Sequence, residues 1–424
     1  MTLICSEELA HLARDHVAEV VVFGSVRPQA YQQALVRITA ASEVARRVWL
    51  NRWFEERYTE PVQEAVLRQL DVILSLVQSA RPSLLIADDH LFRGVARWVA
   101  EHCGCPLVLN YSAGTNYRCI RRKPWLNRTR CQEQSIAVAA KIVPKLLRMQ
   151  ERLLTPGFRR HRQARFSYLE HEWQRIDSEL HSSDADVPHI AAGLIELENR
   201  YLRDRFEVNR ELIAFPSTPP LESGLLPAEL EQWLTSGGPV IFICFGTMAP
   251  GQLPVAVRLV DACVARGLRV LWAAPSAPAS LSRWPAAVVR WEPWVPQVTL
   301  LAREEVAGFV SHAGGGSVQE ALWFGRPLIC VPLTWDQPWN AWVAQQLGFA
   351  KVLNKQRFTA QELDQAVDAL LAGELAATAR RYQQEMREAT DQNRIVAFLA
   401  GCTAPLHAML MKGDDRNPAS VRRR

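Results

Sequence analysis

The chain has 424 residues, 48% of them apolar and 22% charged, which is the composition of a globular protein with apolar side chain enough for two cores. Its nine scattered cysteines form no CxxC pair, which argues against a zinc site or a disulfide framework, and no run of about 18 apolar residues is present to span a membrane. The opening residues do not read as a secretory leader, so a reduced cytoplasmic protein with core thiols such as Cys244 and Cys330 is expected.

In chain order, "TLIC", "AEVVVFG", "SLLIAD" and "PLVLNYS" read as strands, with helical patterns over 28–53 and 60–79. The net charge of +5 then proves uneven. Residues 118–165 hold 14 Lys/Arg against Glu133 and Glu151, a local charge of +12 that leaves −7 elsewhere. Leucines, isoleucine and Trp125 are interleaved with the cations. The stretch reads either as a solvated helical face or as a basic amphipathic surface for anionic membrane or around an apolar acceptor. No recognition motif accompanies the charge, so nucleic acid is not expected as a partner.

A helix-rich stretch over 130–180 precedes "HIAAGLIELEN". Residues 215–238 are rich in Pro, Ser and Gly and read as a linker. Beyond it, "PVIFICFG", a helical pattern from Leu253 to Arg266, "LRVLWAA", "VVRWEPW", "VAGFVSH", "LICVPL" and "FAKVL" follow one another. Strands that are apolar almost throughout are buried on both faces, which requires a parallel sheet covered by helices. The expected organisation is an α/β protein with a domain over 1–214, the linker, a second domain over 239–390, and a C-terminal helix with a disordered tail over 391–424.

The most informative stretch is "FVSHAGGGSVQEALWFGRP", 309–327. A strand enters His312 and the glycines at 314–316, and a helix is expected from about 317. Glycines let a backbone approach an anion closely, and the amide groups and partial positive charge of a helix start hold it. His312 can donate to the same oxygens. The turn is neither a Walker loop nor a GxGxxG dinucleotide turn. Ser317-Val-Gln-Glu320 also fits a capping box, which would make Glu320 structural, and this local alternative stays open.

Around that turn, "WEPWVPQ" (291–297) and "PLTWDQPWN" (332–340) occupy neighbouring strand ends. The ordered set Trp-Val-Pro-Gln, His-Ala-Gly-Gly-Gly-Ser-x-x-Glu and Asp-Gln-x-x-Asn closely resembles the donor-binding signature of family 1 GT-B glycosyltransferases of the bacterial type. The resemblance implies two Rossmann-like domains facing a cleft, with nearly the whole chain covered. By that resemblance, Trp294 stacks on uracil and Gln297 bonds near the base and ribose. His312, Gly314, Gly315, Gly316 and Ser317 contact the diphosphate with Thr247 nearby, Glu320 bonds ribose hydroxyls, and Asp336 and Gln337 bond the transferred sugar. Where plant relatives carry Trp-Asn, Gly315-Gly316 stand here, so side-chain contacts from those positions are lost.

The resemblance further implies transfer with inversion and without a metal or other cofactor, the UDP-sugar being a co-substrate. The hexose is expected to be glucose, with a dTDP-deoxysugar left open. The acceptor is expected to be an apolar or amphipathic hydroxyl compound, small molecule or lipid. In relatives a histidine after the first N-terminal strand is the base and an aspartate orients it. Asp88 in "LLIADDHLF" matches that aspartate, whereas no histidine matches, and neither His11 nor His16 is a good substitute. The expected first strand belongs between those near 2–5 and 83–87. Three readings follow: a start assigned too late, a chain that binds nucleotide sugar without turnover, or an enzyme using Asp89 or His90. A sugar-nucleotide epimerase is a further alternative on the same fold.

Overall fold

The computed structural model describes residues 2–5, 19–22, 67–88, 93–110, 187–192, 212–215, 225–246, 253–333, 336–389 and 396–402. The basic stretch 118–165, the helical pattern over 28–53, His11, His16, Asp89, His90, Thr247 and the tail beyond 402 lie outside them.

The N-terminal part contains β1 (Thr2–Cys5) and β2 (Glu19–Val22), which pair in parallel. A second parallel sheet takes β3 (Leu85–Asp88), β4 (Leu107–Asn110), β5 (His189–Ala192) and β6 (Leu212–Phe215) in that spatial order. Among the described residues no strand joins β1 to β3. Helices α1 (Leu70–Ala80) and α2 (Arg93–Cys103) pack against each other beside β3 through Leu70, Val77, Val95, Trp98 and Val99. β6 was not anticipated, because its four residues run straight into the Pro-rich segment.

That segment is not all linker. Residues Ala228–Thr235 form helix α3, and Leu226, Leu230, Trp233 and Leu234 are buried in the C-terminal core. Their spacing is that of one helical face, which the flanking Pro, Ser and Gly had masked.

The C-terminal sheet contains β7 (Val240–Cys244), β8 (Arg269–Ala273), β9 (Val289–Glu292), β10 (Val306–Ser311), β11 (Leu328–Cys330) and β12 (Ala350–Val352). All pairings are parallel, in the order β12-β11-β10-β7-β8-β9. Alternate residues serve two cores, as the pleat requires. Ile241, Ile243, Val270, Trp272 and Val310 face α4 (Pro254–Val264) and a later helix, Ala360–Leu371. Phe242, Leu271, Phe309 and Leu328 face the opposite layer, where the Phe242 and Phe309 rings stack with centroids 4.8 Å apart. Each such side chain contributes about 1.5–3 kcal/mol by leaving water.

The remaining helices are α5 (Gln297–Leu301), α6 (Gly315–Trp323), α7 (Gln337–Gln346), α8 (Ala360–Leu371) and α9 (Glu374–Ala389). Arg269, at the start of β8, fastens α3. Its guanidinium donates to the carbonyls of Trp233, of Leu234 at 2.6 Å and of Gly238 at 2.9 Å, and it lies 4.6 Å from the Trp233 ring centre. The Trp233 and Leu234 carbonyls belong to the last turn of α3, which ends before the amides one turn further on. Near the C-terminus, Phe398, Leu399 and Cys402 pack against Val108 of β4 and Ile190 of β5, so the chain returns to the N-terminal sheet. Among the described residues no helix is long and apolar enough to cross a membrane.

Candidate functional site

The strand order defines where the site falls. From β7 the chain winds outward through β8 and β9, then returns to the other side of β7 as β10 and continues through β11 to β12. The loops leaving β7 and β10 therefore part in opposite directions, and the crevice between them is the usual ligand position in a doubly wound sheet. β7 ends into Gly246, and β10 ends into the His312–Gly316 turn.

Two glycines in that crevice make room for one imidazole. Gly246 has a φ of +75°, and a Cβ on it would lie 2.9 Å from His312 Cε1. A Cβ on Gly314 would lie 2.5 Å from His312 Nε2. No other residue type fits at either place with the ring as it stands. Burial holds the His312 imidazole down at about 4, so it is neutral at pH 7. Its Nδ1 is buried with no hydrogen-bond partner among the described residues.

Ala313 is left-handed, with φ +61°. A residue with a Cβ adopts that shape only when its neighbours fix it. Its N–H donates to Ser311 Oγ at 3.2 Å, and its carbonyl accepts from Asn340 Nδ2 at 3.0 Å. Helix α6 then starts at Gly315, two residues earlier than expected, with Gly314 as N-cap and no side chain closing the first turn. The capping-box alternative for Ser317 and Glu320 is thereby corrected. Ser317 sits inside the first turn, and Glu320 Oε2 accepts from Gln297 Nε2 at 2.6 Å. Gln297 Nε2 also lies 3.3 Å from Ser317 Oγ. Burial raises the Glu320 carboxyl above the usual range, and the Gln297 bond pulls it part of the way back.

Trp294 projects from the loop between β9 and α5 and is 68% exposed, while its neighbour Val295 is buried and anchors the loop. Asp336 is the N-cap residue of α7, and its Oδ2 accepts from Asn340 Nδ2 at 2.9 Å. Gln337 is buried, and its Oε1 accepts from the Leu333 N–H at 2.9 Å. Asp88 closes β3, and its side chain lies outside the described residues. The structure therefore brings His312, the glycines, Ser317, Glu320 and Gln297 together at one strand crossover, with α7 joined to it through Asn340. Sequence reasoning missed Gly246 and Asn340. Gly246 follows a strand in "CFGTM", and Asn340 is the last residue of Asp-Gln-x-x-Asn; both signals were present without an assigned partner.

Residues 161–378 match the family model described as UDP-glucoronosyl and UDP-glucosyl transferase, a little over half of the chain. The chain belongs to this family. Similar members include UDP-glycosyltransferase 91D1 of Stevia rebaudiana, 32% identical over 149 residues, which covers 29% of this chain and 31% of that protein. Malvidin galactosylase UGT88C3 of Oryza sativa subsp. indica is 33% identical over 210 residues, 42% of each chain. This UDP-glycosyltransferase family member spans about a third of the length of the first curated relatives that it matches (31%, 32% and 39%). Its fold is GT-B. The glycotransferase of kitacinnamycin superposes with a TM-score of 0.62 at 18% identity, over 95% of this chain and 90% of that one. Os79 of O. sativa, solved with UDP and deoxynivalenol-3-glucoside, gives a TM-score of 0.62 at 18% identity, over 94% and 93%.

Proposed function

We propose that this chain transfers a hexose, glucose in the first instance, from a UDP-sugar to a hydroxyl of an apolar or amphipathic acceptor, with inversion. The observation that carries the reading is the neutral His312 ring, set between Gly246 and Gly314 beside the uncapped start of α6. That arrangement offers hydrogen-bond donors at the turn, the chemistry needed to receive the charge that grows on a departing diphosphate. Exposed Trp294 is assigned the uracil face, Gln297 and Glu320 the ribose, and Asp336 and Gln337 the sugar.

In the transfer, the acceptor oxygen attacks the anomeric carbon, the bond from that carbon to the diphosphate oxygen breaks, and a base removes the acceptor proton. Asp88, at the carboxyl end of β3, is assigned the orienting role beside that base. Family membership and the UDP held by Os79 support a UDP-linked donor. Support for a small-molecule acceptor comes from the names malvidin, in a relative, and deoxynivalenol-3-glucoside, in a structural neighbour.

The test is UDP release from UDP-glucose, with and without a panel of phenolic and lipid hydroxyl acceptors, beside calorimetric titration with UDP. Acceptor-dependent UDP release supports transfer. Binding without release in any mixture assigns the chain as a nucleotide-sugar-binding protein, and an absence of UDP binding refutes the donor site.

A further inference from the structure

We propose that Asn340 is a positioning residue that fixes the distance between the phosphate turn and the sugar-binding carboxylate, an inference that rests on the transfer reading above. The Asn340 carboxamide is 1% exposed and lies one helical turn beyond Asp336 on α7. Its single NH2 group reaches two acceptors at once, Ala313 O at 3.0 Å and Asp336 Oδ2 at 2.9 Å. Because both bonds leave one nitrogen, the two acceptors are tied within about 6 Å of each other.

Neither acceptor is an ordinary one. The Ala313 carbonyl belongs to the left-handed residue whose peptide sets the direction of the following amides at Gly314 and Gly315. Asp336 heads the helix assigned to the sugar. In a nucleoside diphosphate hexose the pyranose is bonded directly to the second phosphate. A site that grips phosphate with one loop and a sugar hydroxyl with another therefore works only if the two loops keep a constant spacing. Asn340 provides that constraint from beneath, and touches neither group itself. An aspartate there would fill the same volume, donate to neither acceptor and repel Asp336.

The experiment measures Kd for UDP and for UDP-glucose by calorimetry on the full chain. The variants are Asn340→Asp, Asn340→Ala, Asp336→Ala and the double variants, with melting temperature and circular dichroism as checks of folding. The expected result is that the preference for UDP-glucose over UDP falls about tenfold in each Asn340 variant, the scale of losing a hydrogen bond to a charged group. In the Asp336→Ala background the same Asn340 substitution should change that preference no further.

Equal proportional loss for UDP and UDP-glucose, or a full effect that persists without Asp336, overturns the proposal. So does loss of the fold in both Asn340 variants, which would make the residue structural. An Asp336→Ala protein that keeps the wild-type ratio of UDP-glucose to UDP affinity removes the role given to Asp336 and Asn340 and leaves the nucleotide site standing. A wild-type protein that does not bind UDP refutes the transfer reading, and this inference with it.

Discussion

Replacing Gly314 by alanine tests the diphosphate site with little backbone disturbance. Gly314 has φ −61° and ψ 146°, a shape open to any residue, so the substitution carries no penalty for a left-handed bond. What it adds is one methyl group 2.5 Å from His312 Nε2, 3.1 Å from Cε1 and 3.4 Å from Cδ2. Ordinary contact requires about 3.4 Å, so the ring must retreat by about 0.5–1 Å. The strain of an overfilled buried site is about 1–3 kcal/mol. If Nε2 donates to the diphosphate, that displacement removes a hydrogen bond to a charged group, worth about 1.5–3 kcal/mol, or roughly ten- to hundred-fold in affinity. Calorimetry with UDP and with uridine separates the effects. Gly314→Ala should weaken UDP binding by that factor and leave uridine, which has no phosphate, unchanged. Gly246→Ala should destabilise the fold further, since it adds the unfavourable φ of +75° to a contact of 2.9 Å. Undiminished UDP affinity in a folded Gly314→Ala protein would refute the placement of the phosphates beside His312.

Trp294→Ala should weaken UDP and uridine alike by roughly 1–3 kcal/mol, the scale of base–aromatic stacking, with no change in melting temperature because the indole is 68% exposed; an unaltered Kd would move the base elsewhere. Gln297→Ala removes the 2.6 Å bond to Glu320, so the Glu320 carboxyl should titrate at still higher pH than in the wild type, which carboxyl-carbon NMR of the ligand-free protein reads; an unmoved titration would refute the role of that bond. His312 should also make stability pH-dependent. Above about pH 6.5 its ring is neutral both folded and unfolded; below that the unfolded chain takes a proton that the folded ring, at about 4, refuses. Stability therefore falls with pH between those values by about 3 kcal/mol in total, and urea titrations at pH 7 and pH 4.5 should show this component missing from His312→Gln.

The C-terminal sheet was legible because its central strands β7, β8, β10 and β11 are buried on both faces and, Arg269 and Ser311 apart, are built of apolar residues and glycine. The glycine turn was legible because three consecutive glycines have few other uses at a strand end. What local pattern misread is shown by two similar tetrads. Thr359-Ala-Gln-Glu362 is a true capping box, with Thr359 Oγ1 accepting from the Glu362 N–H at 3.1 Å and Glu362 Oε2 accepting from the Thr359 N–H at 2.7 Å. Ser317-Val-Gln-Glu320 has the same spacing and makes neither bond, because the helix has already begun at Gly315. Thr359 follows extended chain, whereas Ser317 follows glycines free to turn early, and that difference is conformational. Asn340 was out of reach for another reason. Its partner at Ala313 is 27 residues away, and only the packing of α7 beside α6 brings them together.

The uncharged state of His312 bears on how the proposed site discriminates between bound states. Groups that bound a donor sugar and a departed diphosphate equally would not lower the barrier between them. The groups present are dipoles: amide N–H groups of the turn, the Ser317 hydroxyl and an imidazole that burial keeps neutral. Fixed dipoles gain most where negative charge is largest, which is on the diphosphate as its bond to the sugar breaks. The departed UDP, one negative charge richer than the donor, would draw a proton onto His312, raising it from about 4 toward its ordinary value. Binding of UDP should then be tighter in weakly acidic buffer than at pH 8, accompanied by proton uptake, and His312→Gln should abolish both. The two glycines that admit the ring, the strained alanine beside it and the carboxamide that fastens that alanine all serve to hold one imidazole nitrogen at the place where the charge will be greatest.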